Sequence, residues 1–118
     1  ARVSDVASPA EGLVCMTGLE LFRADAAGIE RYGRLVDGFR LARGWNDCYA
    51  HLLAATGRVE AVIEPTMALW DVAPMVPIMA EAGGLCTGWD GGPAGHGRPC
   101  VSCNRLVHAR TLELIAGG

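Results

Sequence analysis

The chain has 118 residues, 51% of them apolar and 19% charged, which is the composition of a globular domain and excludes a disordered segment. Its formal net charge is −3, and its basic residues are all arginines without a cluster, which argues against binding to nucleic acid. No apolar run approaches the roughly 20 residues that span a bilayer, and residues 1–5 lack the apolar core of a signal peptide, so we expect a cytoplasmic protein without membrane contact.

The spacing of apolar residues alternates along the chain between periods of about 2 and about 3.6, which indicates an α/β layered domain. The first predicted strand covers residues 13–17, and a helix over residues 25–36 follows, with apolar side chains at helical spacing. Residues 39–42 then predict a second strand. The N-terminal third of the chain therefore has the order strand, helix, strand.

The next helix is predicted from Asp47 to Gly57. An aspartate is suited to cap a helix because its carboxylate accepts hydrogen bonds from exposed backbone N–H groups, and a glycine is a common stop. We expect one apolar stripe of this helix to face the core, formed by Cys48, Tyr49, Leu52 and Leu53.

A β-branched run over residues 59–63 predicts a strand that delivers Glu64 to a loop. Asp71 is the next predicted helix cap, and residues 83–84, both glycine, are the corresponding stop. Pro77 lies inside this helix, where it removes a hydrogen bond and crowds the carbonyl four residues earlier. We therefore expect a kink near the helix start, or a helix that becomes regular only later.

The C-terminal part predicts strands at residues 85–87 and 100–102, followed by a helix that Asn104 caps. The glycine-rich segment 91–97 between the strands lacks the Lys-Ser/Thr of a P-loop and does not lead directly into a helix, so we expect a surface loop. The complete predicted order is β-α-β-α-β-α-β-β-α, a layered mixed sheet with flanking helices.

The five cysteines are dispersed and lie mostly in apolar segments, where cysteine behaves as a small hydrophobic residue, so a disulfide framework is not expected. A Cys₂His₂ zinc site is an alternative for two of them, but its spacing is poor. A core strand explains these cysteines better, and a thioredoxin-like role is weaker still. The residues of the zinc alternative are His96, Cys100, Cys103 and His108.

Three acidic residues fall at predicted junctions between elements: Asp47 and Asp71 at helix starts, and Glu64 at a strand end. In layered α/β folds, ligand sites gather at such positions. Each residue also has a purely structural explanation, since aspartate is a common N-cap and glutamate before proline is common in turns. Spacing alone leaves both explanations open.

Residues 70–84 read W-D-V-A-P-M-V-P-I-M-A-E-A-G-G. This segment resembles the metal-binding signature of inositol-monophosphatase-type phosphatases. The family pattern is Trp-Asp-x-Ala-Ala, a spacer, then Ile-x-x-Glu-Ala-Gly-Gly. Pro74 stands where the family usually has alanine. The resemblance implies that Asp71 binds a catalytic Mg²⁺, a hard cation that prefers oxygen ligands. We expect Trp70 and the Glu-Ala-Gly-Gly turn to serve packing.

Residues 43–49 read R-G-W-N-D-C-Y and are similar to the branch of this superfamily that hydrolyses histidinol phosphate in histidine biosynthesis. Asn46 replaces the usual glycine. The resemblance implies that Asp47 and Glu64 contact the substrate beyond its phosphate, with Asn46 and Cys48 as further contacts. Two carboxylates suit the cationic amine and imidazolium of histidinol. An inositol-phosphate phosphatase is the alternative within the class.

The family assembles its metal ions mainly from an N-terminal lobe, with a glutamate and an Asp-Pro-(Ile or Leu)-Asp-Gly-Thr motif, and this chain has neither. The resemblance therefore implies that residues 1–118 are one domain, the C-terminal lobe of a longer phosphatase that forms a homodimer and acts on a small phosphate ester. Alone, these residues should be inactive. The alternative from another class is a non-catalytic binding or oligomerisation module.

Overall fold

A five-stranded mixed sheet forms the centre of the protein, with strand order β2-β1-β3-β5-β4. The computed structural model describes residues 1–16, 19–45 and 47–117; for Leu19 and Asp47 the description covers the backbone alone. The sheet and its flanking helices confirm the predicted α/β class. The strands are Leu13–Met16 (β1), Leu41–Arg43 (β2), Ala61–Met67 (β3), Gly84–Thr87 (β4) and Arg98–Asn104 (β5).

The helices follow the predicted order, with two differences. A short helix precedes the first long helix, and the segment after β3 forms two helices instead of the single predicted one. The helices are Leu19–Phe22 (α1), Ala26–Gly38 (α2), Asp47–Ala55 (α3), Leu69–Val72 (α4), Met75–Glu81 (α5) and His108–Ala116 (α6). No helix among the described residues has the length and apolar character needed to cross a membrane.

Strand direction brings several chain segments to one end of the sheet. β1 pairs in parallel with both β2 and β3, whereas β5 is antiparallel to β3 and β4. The C-terminal ends of β1 to β4 and the N-terminal end of β5 therefore lie together; we name this the carboxyl end of the sheet. The starts of α3 and α4 and the glycine-rich loop lie at the same end, because they directly follow β2, β3 and β4.

Apolar side chains fill both faces of the sheet. Val62 packs in one buried cluster with residues of α3, α4 and α5, and its neighbour Ile63 packs in a second cluster with residues of α2 and α6. Alternate residues of a strand point to opposite faces, so a strand buried on both faces reads as a continuous apolar run. The sheet is thus the middle of three layers.

The expected apolar stripe of α3 was wrong. Tyr49 is 60% exposed and Leu52 47% exposed, while Cys48 and Leu53 are only half-buried. Three alanines and a histidine form the buried face instead. Small side chains let the helix axis approach the sheet closely, which leaves Tyr49 and Leu52 on the outer side, whereas Leu53 packs at the edge of a buried cluster. The residues of the buried face are Ala50, His51, Ala54 and Ala55.

The end of α3 confirms Gly57 as its stop. Gly57 has a φ of +79°, a conformation that glycine adopts without strain. The N–H of Gly57 donates to the carbonyl of Ala54 at 3.2 Å, and the N–H of Arg58 donates to the carbonyl of Leu53 at 2.8 Å. These two bonds form a Schellman motif, which satisfies carbonyl groups that the helix leaves without partners.

The segment after β3 is interrupted near its start, as Pro77 predicted. α4 ends at Val72 and α5 begins at Met75, so Pro77 is the third residue of α5. A backbone N–H at that position has no acceptor within the helix, and the proline therefore costs no helical hydrogen bond. The expected cap was wrong: Ala68 precedes α4, and Asp71 is its third residue.

The final helix also begins later than expected. Asn104 is the last residue of β5, and α6 begins at His108. The Asn104 side chain does accept hydrogen bonds from the N–H groups of Leu106 and Val107, at 3.0 and 2.9 Å. It therefore closes the turn before the helix rather than capping the helix itself, because an Asx turn satisfies the same kind of donor.

Gly84 lies where two strands approach too closely for a side chain. A Cβ atom at this position would lie 2.6 Å from the carbonyl oxygen of Cys103 on β5. Gly33, in the middle of α2, has open space around the corresponding position. Packing thus requires a glycine at position 84 but not at position 33, where glycine only adds conformational entropy to the unfolded chain. The two positions can therefore be compared by substitution.

We predict that Gly84→Ala lowers the free energy of unfolding by about 1–3 kcal/mol, since backbone atoms must move to admit the methyl group. Gly33→Ala should raise the free energy of unfolding by about 0.5–1 kcal/mol, because alanine is the better helix former. Urea unfolding followed by circular dichroism measures both. Equal effects of the two substitutions would contradict the close approach of β4 and β5.

Candidate functional site

Glu64 lies inside β3, not in the loop that the sequence predicted. It pairs with Cys100 of β5, and the strand continues to Met67 with an irregular register between Glu64 and Met67. Pro65 falls within this irregularity, where the ladder requires no donor from its nitrogen, so the proline does not end the strand. Glu64 is only 6% exposed and reaches the carboxyl end of the sheet from within it.

A line of three side chains connects Glu64 to the interior. His51 Nε2 lies 2.6 Å from Glu64 Oε2, and His51 Nδ1 lies 2.7 Å from the hydroxyl oxygen of Ser102. His51 and Ser102 are fully buried. We name this arrangement the Glu64–His51–Ser102 line.

Sequence reasoning missed His51 and Ser102. The signal present in the sequence was a histidine among small residues, Ala50, Ala54 and Ala55, on one face of a helix whose other face carries large apolar side chains. A polar residue on the smaller-residue face must find partners when that face is buried. Ser102 gave no comparable signal, because its pairing depends on the register of β5.

Sulfur atoms lie beside this line. The thiol of Cys100 is 2.9 Å from the Met67 sulfur. A hydrogen bond from Cys100 lowers the pKa of the Cys86 thiol below its ordinary value and raises the pKa of Cys100 itself. The Cys100 sulfur lies within 4.8 Å of the ligand atoms of His51 and Glu64, so a buried thiol borders the line on this side.

Within the described residues, one cluster offers three potential metal ligands: His51, Glu64 and Cys100, with ligand atoms within 4.8 Å of one another. Nitrogen and sulfur ligands suit zinc better than magnesium, and the hydrogen bond between His51 and Glu64 already engages two of the three residues. Asp71 is not part of this cluster. The cluster is therefore not the oxygen-rich Mg²⁺ site that the sequence led us to expect.

Asp71 lies in the first turn of α4 and is half-buried. No group in the described part of the chain donates a hydrogen bond to its carboxylate or forms an ion pair with it. An ionised carboxylate that is partly open to water fits Mg²⁺, because this ion takes oxygen ligands and keeps several waters. Asp71 can therefore supply one ligand of such a site.

A histidine of the glycine-rich loop anchors the helix that carries Asp71. The N–H of Leu69, the first residue of α4, donates to His96 Nδ1 at 2.8 Å, and the N–H of Gly97 donates to the Met67 carbonyl at 2.8 Å. The centroids of the Trp70 and His96 rings are 6.1 Å apart. Trp70 is nevertheless 76% exposed, so it does not pack in the core of this chain.

The motif before α3 lies at the same end of the sheet but is only partly described. Asn46 lies outside the described residues. Asp47 is the first residue of α3, and its side chain, with the capping role predicted for it, also lies outside them. Cys48 is half-buried. The exposed rings of Trp45 and Tyr49 meet edge to face, with centroids 6.5 Å apart.

The geometry of β5 excludes the Cys₂His₂ alternative. Cys100 and Cys103 lie three residues apart on β5 and point into opposite buried clusters. Burial raises the pKa of the Cys103 thiol to about 12. His96 accepts from Leu69, and His108 hydrogen-bonds to Thr87. The core-strand interpretation of the two cysteines was right.

We predict that His96→Ala speeds hydrogen exchange of the Leu69 amide about fivefold, because a hydrogen bond worth about 1 kcal/mol is lost. His96→Asn should retain slow exchange, since the Asn oxygen can take the place of Nδ1. Amide exchange followed by NMR measures this, with the Glu60 amide, which donates to the Leu13 carbonyl at 3.0 Å, as an internal reference. An unchanged Leu69 rate in His96→Ala would show that the loop does not anchor α4.

Comparison with known proteins places this geometry in context. The pattern described as the Inositol monophosphatase family matches residues 10–117. The histidinol-phosphatase of Chlorobaculum parvum is 39% identical over 79 residues, which are 66% of this chain and 30% of that protein. The histidinol-phosphatase of Mycobacterium tuberculosis is 34% identical over 89 residues, which are 75% of this chain and 34% of that protein. The chain thus spans about a third of the length of these curated relatives.

Solved structures share the fold at lower identity. The extragenic suppressor protein suhB of Bartonella henselae superposes with a TM-score of 0.90 at 18% identity, over 100% of this chain and 46% of that one. An IMPase of Thermotoga maritima superposes with a TM-score of 0.82 at 22% identity, over 98% of this chain and 44% of that one. These likenesses establish the fold of the described sheet and helices.

Proposed function

The chain belongs to the inositol monophosphatase family, and on that premise we propose that it is part of a Mg²⁺-dependent phosphomonoesterase that hydrolyses histidinol phosphate in histidine biosynthesis. The observation that carries this proposal is the buried Glu64 carboxylate at the carboxyl end of the sheet, where α/β folds bind ligands. Similarity to two proteins named histidinol-phosphatase supports the same substrate.

Asp71 is the metal ligand in this proposal. Its half-buried carboxylate provides a hard oxygen ligand, and His96 anchors the short helix on which it lies. A bound Mg²⁺ supplies charge neutralisation at the phosphate and activation of a water molecule. The contribution of this chain is to fix Asp71 on α4, which follows β3 at the end of the sheet that Glu64 also reaches.

Glu64 and Asp47 contact the organic part of the substrate in this proposal, with Asn46 and Cys48 as further contacts. Histidinol carries an amine and an imidazole, and a carboxylate binds either cation through a charge-assisted hydrogen bond. A neutral polyol such as inositol gains less from two carboxylates. The charge of the site therefore favours histidinol phosphate over inositol phosphate.

We propose further that residues 1–118 act as the C-terminal lobe of a longer, cytoplasmic, homodimeric enzyme. Asp71 alone cannot hold a two-metal site, and the chain spans about a third of its curated relatives. Several large apolar side chains are exposed at or near the carboxyl end of the sheet, which suits contact with another lobe. These side chains are Trp45, Tyr49, Leu52, Leu69 and Trp70.

The substrate proposal predicts the preference of the full-length protein. With Mg²⁺, we expect kcat/KM for histidinol phosphate to exceed that for inositol 1-phosphate at least tenfold, measured as phosphate release. Glu64→Gln should reduce this preference, because the carboxylate charge is lost while the shape remains. A higher kcat/KM for inositol 1-phosphate would overturn the histidinol assignment and favour the alternative within the class.

The metal proposal predicts that Asp71→Asn lowers the Mg²⁺-dependent kcat/KM of the full-length protein at least 100-fold, since an amide is a poor ligand for a hard cation. Asp90→Asn is the matched control: Asp90 is exposed in the glycine-rich loop, and its oxygen accepts from the Gly92 amide at 2.9 Å. An Asp71→Asn variant with wild-type turnover would refute the role of Asp71.

The lobe proposal has its own control. Residues 1–118, expressed alone, should release no phosphate from either substrate, because Asp71 supplies only part of the metal site. Turnover by this piece with Mg²⁺ would show that the missing ligands are not needed. A full-length protein without phosphatase activity would instead favour the non-catalytic binding module.

A further inference from the structure

The Glu64–His51–Ser102 line joins three elements, β3, α3 and β5, through two short hydrogen bonds. We propose that His51 is a positioning residue, which fixes the Glu64 carboxylate in the orientation that receives the cationic amine of the substrate. The inference rests on the proposed function for its substrate. The geometry of the line itself stands independently of that function.

The ionised form of Glu64 determines where one proton of the line lies. With this carboxylate ionised, it only accepts hydrogen bonds, so the bond between His51 Nε2 and Glu64 Oε2 requires the proton on Nε2. Nδ1 then either accepts from the Ser102 hydroxyl or, in an imidazolium, donates to its oxygen. A 180° flip of the ring would replace both nitrogens by carbons and break both bonds. Ser102 therefore holds the ring in the orientation that serves Glu64.

The position of the line explains why Glu64 needs such support. A carboxylate that is 6% exposed has little water to orient it, and a free side chain would lose several rotamers on binding a substrate. His51 sits on the alanine face of α3, packed against the sheet, so the imidazole has no room to turn away. The carboxylate is thereby oriented before the substrate arrives.

The bond to His51 does not by itself exclude a further donor from Glu64. A carboxylate has two oxygens with about four acceptor sites, and a hydrogen bond such as that from His51 occupies one site. Glu64 also lies near the end of β3, the strand that leads to α4 at the carboxyl end of the sheet, so a donor at this end can approach it. His51 acts on the substrate only through Glu64.

Kinetics of the full-length protein test the proposal. His51→Leu should raise KM for histidinol phosphate at least tenfold while kcat changes less than threefold, since the metal ligands are untouched. His51→Gln should restore KM to within about threefold of the wild type, because the Gln amide can place a donor near the position of Nε2. Ser102→Ala should give an intermediate KM, since the ring loses one of its two partners.

His108→Leu is the matched control, because His108 is half-buried and hydrogen-bonded to the Thr87 hydroxyl, as His51 is to that of Ser102, but forms no hydrogen bond or ion pair with a carboxylate among the described residues. Its KM should equal that of the wild type. A wild-type KM in His51→Leu would overturn the proposal. Equal damage by His51→Leu and His51→Gln would also overturn it, because a core residue without a positioning role would show that result.

NMR of ¹⁵N-labelled imidazole provides a readout that needs no activity. His51 should show a slowly exchanging Nε2 proton, and Glu64→Gln should shift this resonance while leaving that of His108 unchanged. If the protein does not hydrolyse histidinol phosphate but the resonance shifts, the substrate assignment fails and the positioning of Glu64 by His51 stands. If the resonance does not respond to Glu64→Gln, the positioning role is wrong whatever the substrate.

Discussion

The burial of the Glu64 carboxylate is the constraint on which this part of the structure depends. A charge almost fully removed from water is tolerated only with close, well-aligned partners. His51 provides such a partner at 2.6 Å, but only if α3 lies close against the sheet. The alanines at positions 50 and 54 allow that approach, which in turn places the larger side chains of α3 on the outer side.

Strand direction determines which residues share the carboxyl end of the sheet. β5 runs antiparallel to β3, so the loop before β5 returns to the end of β3 and brings His96 against the start of α4. Glu64 therefore lies within β3 and Asp71 on the helix that follows it, so both lie near the carboxyl end of the sheet. Their surroundings differ: the half-buried Asp71 suits a hydrated hard cation, whereas the buried Glu64 suits an organic cation.

Local sequence signals predicted most of the elements because those elements depend on local physics. The glycine at position 57 ends α3 through its left-handed conformation, and Pro77 marks the interruption between α4 and α5. The buried face of α3 was not predictable in this way. Large apolar residues usually face the core, but here three alanines and His51 form the buried face of α3, and neither residue spacing nor composition records how close α3 lies to the sheet.

The sequence by itself determined the α/β class, the order of the elements and the family motifs around Asp47, Glu64 and Asp71, because periodicity and short motifs are local properties. Only the tertiary structure decided that Glu64 lies within a buried strand and that His51 and Ser102 support it. These contacts span 13 and 51 residues along the chain and arise from the packing of α3 and the register of β5. Pairings between such distant residues exist only after the sheet and its helices have assembled.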